Sequence, residues 1–181
     1  QKEVNITTET GPHYLFLSEE DVAEWGAVLR VNPPVRSREH GAALWQGVLD
    51  GRVNFMADDH APHTEEEKLN PDIWQAMAGL VGVETLMQVM FSEGVLKRGM
   101  PVNHFVKICS ENGARAWHAY PQKGALEVGS DGDLTVFDPQ RRWKIDRQQL
   151  HSKSKVTPWH QWEGQGLPVG VIVRGQVMMW E

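Results

Sequence analysis

The sequence predicts an α/β body followed by a small β-rich module, and three observations carry that reading. Short apolar, strand-like runs alternate with amphipathic helical stretches through the first two thirds. Residues 53–63, VNFMADDHAPH, end abruptly in carboxylates and imidazoles, and the strand ends of α/β proteins are where active sites collect. From Lys123 onward Gly124, Gly129 and Gly132 punctuate short alternating runs without helical period. The expected division is 1–122 for the body and 123–181 for the module.

Residues 4–8, VNITT, are β-branched and alternating and read as a strand that Gly11-Pro12 ends. Ser18, with Asp21 three residues on, opens a short helix by a capping-box-like start. In residues 29–36, LRVNPPVR, Pro33 and Pro34 forbid a helix and hold Asn32 extended. Residues 37–49 read as a helix with Ala43, Leu44 and Val48 on one face and Gly51 just past its end. A strand over 53–57 follows, then a polar, Glu-rich loop over 64–71. Leu80, Val83, Met87 and Met90 recur at helical spacing and predict a helix to about Lys97, stopped by Gly99. Pro101 suits the first turn of the next helix, with Val102, Phe105, Val106 and Cys109 inward. In the module the predicted strands are 134–137, 143–145, 169–173 and 176–180, with Arg174-Gly175 as a hairpin turn. The tryptophans, Trp159 and Trp162 among them, read as packing residues.

Composition narrows the function classes. A net charge of −6, with no basic run, argues against nucleic-acid or membrane-surface partners. A single cysteine, Cys109, in an apolar helical pattern excludes an internal disulfide and reads as an inert core thiol in a reducing cytoplasm. No apolar run approaches the ~20 residues of a membrane span. The amino terminus has neither the basic nor the apolar region of a signal peptide. It lacks an initiator Met and opens almost directly into a strand-like run, as a fragment would.

The densest chemistry is Asp58, Asp59, His60 and His63 within six residues. Carboxylate oxygens and neutral imidazoles are the ligands a zinc-type ion prefers. The same spacing also suits a polar strand-end loop with a salt-bridged Asp, and spacing alone leaves both readings open.

Several stretches resemble the cyclic amidohydrolases, which include dihydroorotase, allantoinase and hydantoinase. They are TGPHYL, VNPP, ADDHAPHTEEEK followed by GLVGVET, SENGARAW, KGALEVGSDGDLTVFD, SKSKVTPW and VIVRGQVMMW, in the family's order. The resemblance implies the carboxyl-terminal part of a (β/α)₈ barrel, its last two β/α units, with an appended β-sandwich-type module. VNITTET matches the seventh barrel strand and VNFMADD the eighth. The family's H-x-H pair, its bridging carboxylated lysine or carboxylate and two further metal histidines belong to strands this sequence does not contain. Only the last metal-site residue is matched, at Asp59.

By this resemblance Asp59 binds metal, takes a proton from the bridging hydroxide and passes it to the leaving nitrogen. Zinc, two ions in the full-length parent, is the implied cofactor, and none is expected in this chain alone. Asn32 and His63 match substrate-binding positions, although a turn before two prolines and a loop histidine would explain them equally. Gly79 and Gly82 would line the same pocket, where a bare backbone approaches a ring closely. His60 is expected to orient the loop, and Asp58, where relatives carry Thr or Ser, to point elsewhere. The sequence also has Asn112-Gly113-Ala114-Arg115 where the family commonly has N-P-A-R. The implied activity is hydrolysis of a cyclic amide C–N bond, dihydroorotase-like. Alternatives are allantoinase, hydantoinase or dihydropyrimidinase activity and, in another class, a non-catalytic scaffold paralogue. The implied partners are a small cyclic amide and, in the parent, further copies of itself.

Overall fold

In a computed structural model that describes residues 4–180, two short strands pair in parallel: β1 (Glu9–Thr10) and β2 (Phe55–Met56), with Glu9 opposite Phe55 and Thr10 opposite Met56. Asn54 N–H and Ala57 N–H donate to the Thr8 and Thr10 carbonyls, each at 2.9 Å. The strand predicted over 4–8 does not form there; the pairing falls just past it, at Glu9–Thr10. Val4 and Ile6 are 73% and 71% exposed, so the alternating pattern lacks a neighbouring surface to bury against. β2 lies within the predicted 53–57, and Val53, Phe55 and Met56 are buried.

The connection from β1 to β2 is helical. Pro12 starts α1 (Pro12–Phe16) from the N1 position. Ser18 and Asp21 form a reciprocal capping box around a 3₁₀ turn (Glu19–Asp21) that leads into α2 (Val22–Trp25). α3 (Arg38–Leu49) has Ser37 as its N-cap and Gly51, at φ 81°, just beyond its end. Val48 is fully buried, Leu44 partly, and Ala43 faces solvent. The buried stripe is thus narrower than predicted and includes Gly47.

The polar stretch after the Asp/His cluster contains one helical turn, α4 (Glu65–Lys68), where a loop is predicted; Thr64 and Glu67 cap it reciprocally. The next helix begins at Leu86, not near Leu80. It comprises α5 (Leu86–Met90), continuing as π-helical turns over Phe91–Leu96. Leu80 instead pairs in a bridge to His60 and is buried there, a turn over 83–85 precedes the helix, and Val83 is 57% exposed. α6 (Val102–Val106) passes through π-turns (Lys107–Glu111) into α7 (Asn112–Ala116). Phe105 and Ile108 point inward; Val102 and Val106, predicted inward, are about half exposed, so the buried stripe is narrower than predicted. Burial pushes the Cys109 thiol up to about 12, which makes it unreactive at neutral pH.

The module is one three-stranded antiparallel sheet among the described residues, in the order β3 (Leu134–Lys144), β4 (Glu163–Val173), β5 (Gln176–Trp180). Two predicted strands merge into β3, whose register shifts at Asp138–Arg142. There the Asp138 carboxylate accepts from Gln140 and Arg141 N–H and turns the chain around Pro139. Arg174 and Gly175, at φ 50° and 78°, form the hairpin turn.

Sheet and helices share their cores. Phe91 stands 4.6 Å from Phe137 and 5.5 Å from Phe105, ring centre to ring centre. Trp143, Ile145 and Trp159 close over Leu17, Leu29, Val31 and Leu80. Gly166, at φ 92°, lets β4 lie on Phe91, since a Cβ there would sit 2.1 Å from the ring. Side chains as deeply buried as Met90 or Ile108 each stabilise the fold by roughly 1.5–3 kcal/mol. Trp74 and Trp117 depart from the packing role, at 79% and 78% exposed. Among the described residues no helix is long and apolar enough to cross a membrane.

Candidate functional site

Parallel pairing of β1 and β2 brings their carboxyl ends together. The Gly11–His13 turn leaves β1 there, and a Cβ on Gly11 would lie 3.1 Å from the Ala57 carbonyl that follows β2. Asp58 and Asp59 come next, at the same end of the sheet.

The two carboxylates are used differently. Asp58 Oδ1 accepts the His60 N–H at 2.8 Å and so folds the loop on itself. Gly82 lies against it, since a Cβ there would sit 2.8 Å from the Asp58 carbonyl. Asp59 is exposed and held at φ 49°. A non-glycine residue in that region is uncommon, Asp being among those that tolerate it, and such conformations cluster at functional sites. Among the described residues its carboxylate accepts no hydrogen bond. The negative charge of Asp59 reaches Tyr14: burial first, and then that charge, raises the Tyr14 phenol above its ordinary value.

His60 is a clasp. Its Nδ1 accepts from Gly82 N–H at 3.2 Å and Val83 N–H at 3.4 Å, which places the ring proton on Nε2. His63 Nε2 donates to the Ala78 carbonyl at 3.1 Å, and its Nδ1 lies 3.9 Å from Glu67 Oε2. A Cβ on Gly79 would meet that imidazole at 3.0 Å and the Ala61 carbonyl at 2.7 Å, so only glycine fits this close approach. Asn32 is exposed, before the cis Asn32–Pro33 bond, and Tyr14 Oη donates to the Pro33 carbonyl at 2.9 Å. The next arm is tied to this one by Gly79 N–H, which donates to the Arg30 carbonyl at 3.0 Å.

His63 and Gly79 are thus in contact, Gly82 backs Asp58, and Tyr14 holds the Asn32–Pro33 turn by its hydroxyl while feeling the charge of Asp59. Tyr14 went unnoticed in the sequence because nothing local in GPHYLF signals a carboxylate far along the chain. A cavity opens beside it, lined by Thr10, Tyr14, Pro33, Pro34, Arg36 and Leu44 among others; neither Asp59 nor His63 lines it. Among the described residues no three His, Cys, Asp or Glu side chains converge to hold a metal ion. Asp59 offers a single ligand, and these residues alone do not fit a zinc site.

His13 is 3% exposed, stacks on Tyr14 at 4.1 Å, and its Nε2 has no partner among the described residues. Burial lowers its pKa from 6.5 to about 4. Unfolded chains therefore bind more protons than folded ones between those values. The stability held by neutral His13 is complete above pH 6.5 and is lost as pH falls towards 4, by roughly 3 kcal/mol in full. Urea midpoints at pH 7 and pH 4.5 are expected to differ less in His13→Gln than in the unaltered protein. An equal acid loss in both would disprove the assignment.

The amidohydrolase family model matches residues 17–178. The chain is 33% identical over 178 residues to an allantoinase of Rubrobacter xylanophilus, covering 98% of this chain and 39% of that protein. It is 36% identical over 178 residues to a dihydroorotase of Halalkalibacterium halodurans, covering 98% and 41%. The solved L-hydantoinase of Arthrobacter aurescens superposes with a TM-score of 0.94 at 35% identity, over 97% of this chain and 40% of that one. The chain thus spans about two fifths of the length of the relatives it matches.

Proposed function

The chain belongs to the amidohydrolase family, and from that premise we propose that it is the carboxyl-terminal part of a metal-dependent cyclic amidohydrolase. Residues 1–122 are the last two β/α units of a (β/α)₈ barrel and 123–181 an appended β-module. The parent opens a cyclic amide at a C–N bond, dihydroorotase-like by the DHAPH and VNPP stretches. The observation that carries this reading is Asp59: an exposed carboxylate, free of hydrogen bonds among the described residues and at φ 49°, at the carboxyl end of a parallel strand.

The leaving nitrogen of a cyclic amide must gain a proton as the ring opens. Asp59 carries that proton. Nothing in its own loop competes for its oxygens, because Asp58 caps the loop and His60 clasps the Gly82 segment. The charge of the same carboxylate reaches Tyr14. The family's zinc ions supply activated water and carbonyl polarisation when bound; this chain contributes Asp59 to their coordination and does not form the site unaided. Asn32 offers its amide to the ring. His63 holds the Gly79 arm by Nε2; protonated at Nδ1 as well, it would offer that second N–H to a substrate carboxylate, and the Gly79–Gly82 backbone lines the ring.

Hydantoinase, dihydropyrimidinase or allantoinase activity is the second reading, favoured by the close superposition on an L-hydantoinase. A non-catalytic scaffold fits less well, since it has no need to keep Asp59 in this conformation. The test is the full-length protein, zinc-loaded, offered dihydroorotate, allantoin, hydantoin and dihydrouracil, with ring opening followed by chromatography. Turnover of one that is lost on chelation supports an enzyme and chooses among the readings. Opening of none sinks the enzymatic reading and leaves the scaffold. Light scattering on the same sample reports whether the parent is the cytoplasmic homo-oligomer we expect.

A further inference from the structure

Lys68, the last residue of α4, is 2% exposed. Its Nζ donates to the Arg30 carbonyl at 2.5 Å and to the Met77 carbonyl at 3.1 Å. No carboxylate pairs with it among the described residues, and the charge that acts on it is another cation, Arg30. An ammonium buried without a counter-ion is costly and persists only where its hydrogen bonds hold something worth holding.

Around Lys68 three segments are knotted. The Arg30 carbonyl also receives the Gly79 N–H at 3.0 Å. The Arg30 guanidinium donates to the Trp74 carbonyl at 2.7 Å and to that of Ala76. Met77 N–H donates to the Glu67 carbonyl at 2.9 Å, and His63 Nε2 to that of Ala78 at 3.1 Å. The segments that meet here are 30–32, 63–68 and 74–79. Each ends in a residue assigned above to the substrate: Asn32, His63 and Gly79.

We propose that Lys68 is a positioning residue, whose buried ammonium binds the Arg30 and Met77 carbonyls and fixes the Asn32, His63 and Gly79 arms as one wall of the substrate site. The word substrate rests on the function proposed above; the wall itself does not. Burial lowers the Lys68 pKa to about 8, consistent with a cation kept for its three donors rather than for an ion pair. Met would fill the same space at no electrostatic cost, yet it could hold neither carbonyl.

The experiment uses the full-length protein as Lys68→Met and Lys68→Arg, read by hydrogen exchange and by steady-state kinetics. In Lys68→Met, exchange over 76–82 is expected to rise about tenfold or more while 86–96 stays unchanged, as a local opening requires. KM should rise about tenfold with kcat changed less than about threefold, because the wall binds ground and transition states alike. Lys68→Arg, whose cation reaches the same carbonyls, should recover most of both effects. Unchanged exchange over 76–82, or a rise spread equally over 86–96, would overturn the proposal. So would failure of both variants to fold, which would make Lys68 a residue of general stability. If only Lys68→Met fails to fold, Lys68→Arg decides: protection over 76–82 and a KM near those of the unaltered protein support positioning, and loss of either overturns it. If the unaltered protein opens no cyclic amide, the proposed function falls and the exchange arm alone decides the role of Lys68.

Discussion

Replacing Asp59 by Asn in the full-length protein is expected to lower kcat by about 10³ or more while KM moves little. Asn has the size of Asp and tolerates the same left-handed backbone, so the φ of 49° survives the change. What is lost is the charge that binds metal and the basic oxygen that carries the proton. General acid–base catalysis alone is worth roughly 10²–10⁴ in rate, and a disturbed metal adds to the loss. The contrasting variant is His63→Ala. It removes the bond to the Ala78 carbonyl and loosens the Gly79 arm, so it should raise KM with kcat largely kept, as for binding shared by ground and transition states. Kinetics on both variants, with metal content measured in parallel, decide the matter. Near-normal turnover of Asp59→Asn with its metal in place would remove Asp59 from the catalytic role and make Asp58 the residue to test.

The parts of this fold that local rules determine were legible in the sequence. The Ser18–Asp21 capping box, the Gly51 helix stop, the Arg174–Gly175 turn and the apolar run through Phe55 need only neighbours in the chain. The misread parts depend on distant surfaces. Residues 4–8 have strand composition, but Val4 and Ile6 meet nothing that would pair with or bury them. The helix read from Leu80 begins at Leu86; the His60 ring takes the Gly82 and Val83 N–H groups, and the helix starts only after the turn that follows them. Apolar spacing cannot reveal a clasp made by one imidazole twenty-odd residues away.

The site divides in the same way. Asp59 and His63 stand out as residue types at a strand end, and their neighbourhood follows from the parallel pairing. Tyr14 and Lys68 do not. An aromatic after Gly-Pro-His and a lysine after three glutamates carry no local signal of their surroundings, and only the three-dimensional arrangement shows the first within reach of a carboxylate's charge and the second buried against two carbonyls. Only the family resemblance pointed to Asn32, Gly79 and Gly82 as substrate residues; the residues alone left Asn32 as a turn before two prolines.

The 181-residue chain by itself is expected to hold no stoichiometric zinc and to open neither dihydroorotate nor allantoin nor hydantoin. Catalytic zinc takes about three protein ligands, and among the described residues no such group converges. The imidazoles near Asp59 are already committed: Nδ1 of His60 to Gly82 and Val83, and Nε2 of His63 to Ala78. His13 is buried beneath Tyr14. His60 and His63 each keep a second ring nitrogen, yet among the described residues these do not converge with Asp59 into a three-ligand group. The parallel pair β1–β2 also has open edges, and Val4 and Ile6 lie bare beside it, so the isolated chain should associate at high concentration. Elemental analysis after dialysis, with the three substrates assayed alongside, tests the expectation. One tightly held equivalent of zinc together with turnover that a chelator abolishes would show that this chain is a catalytic unit in its own right, with ligands drawn from a rearranged loop or from a second copy.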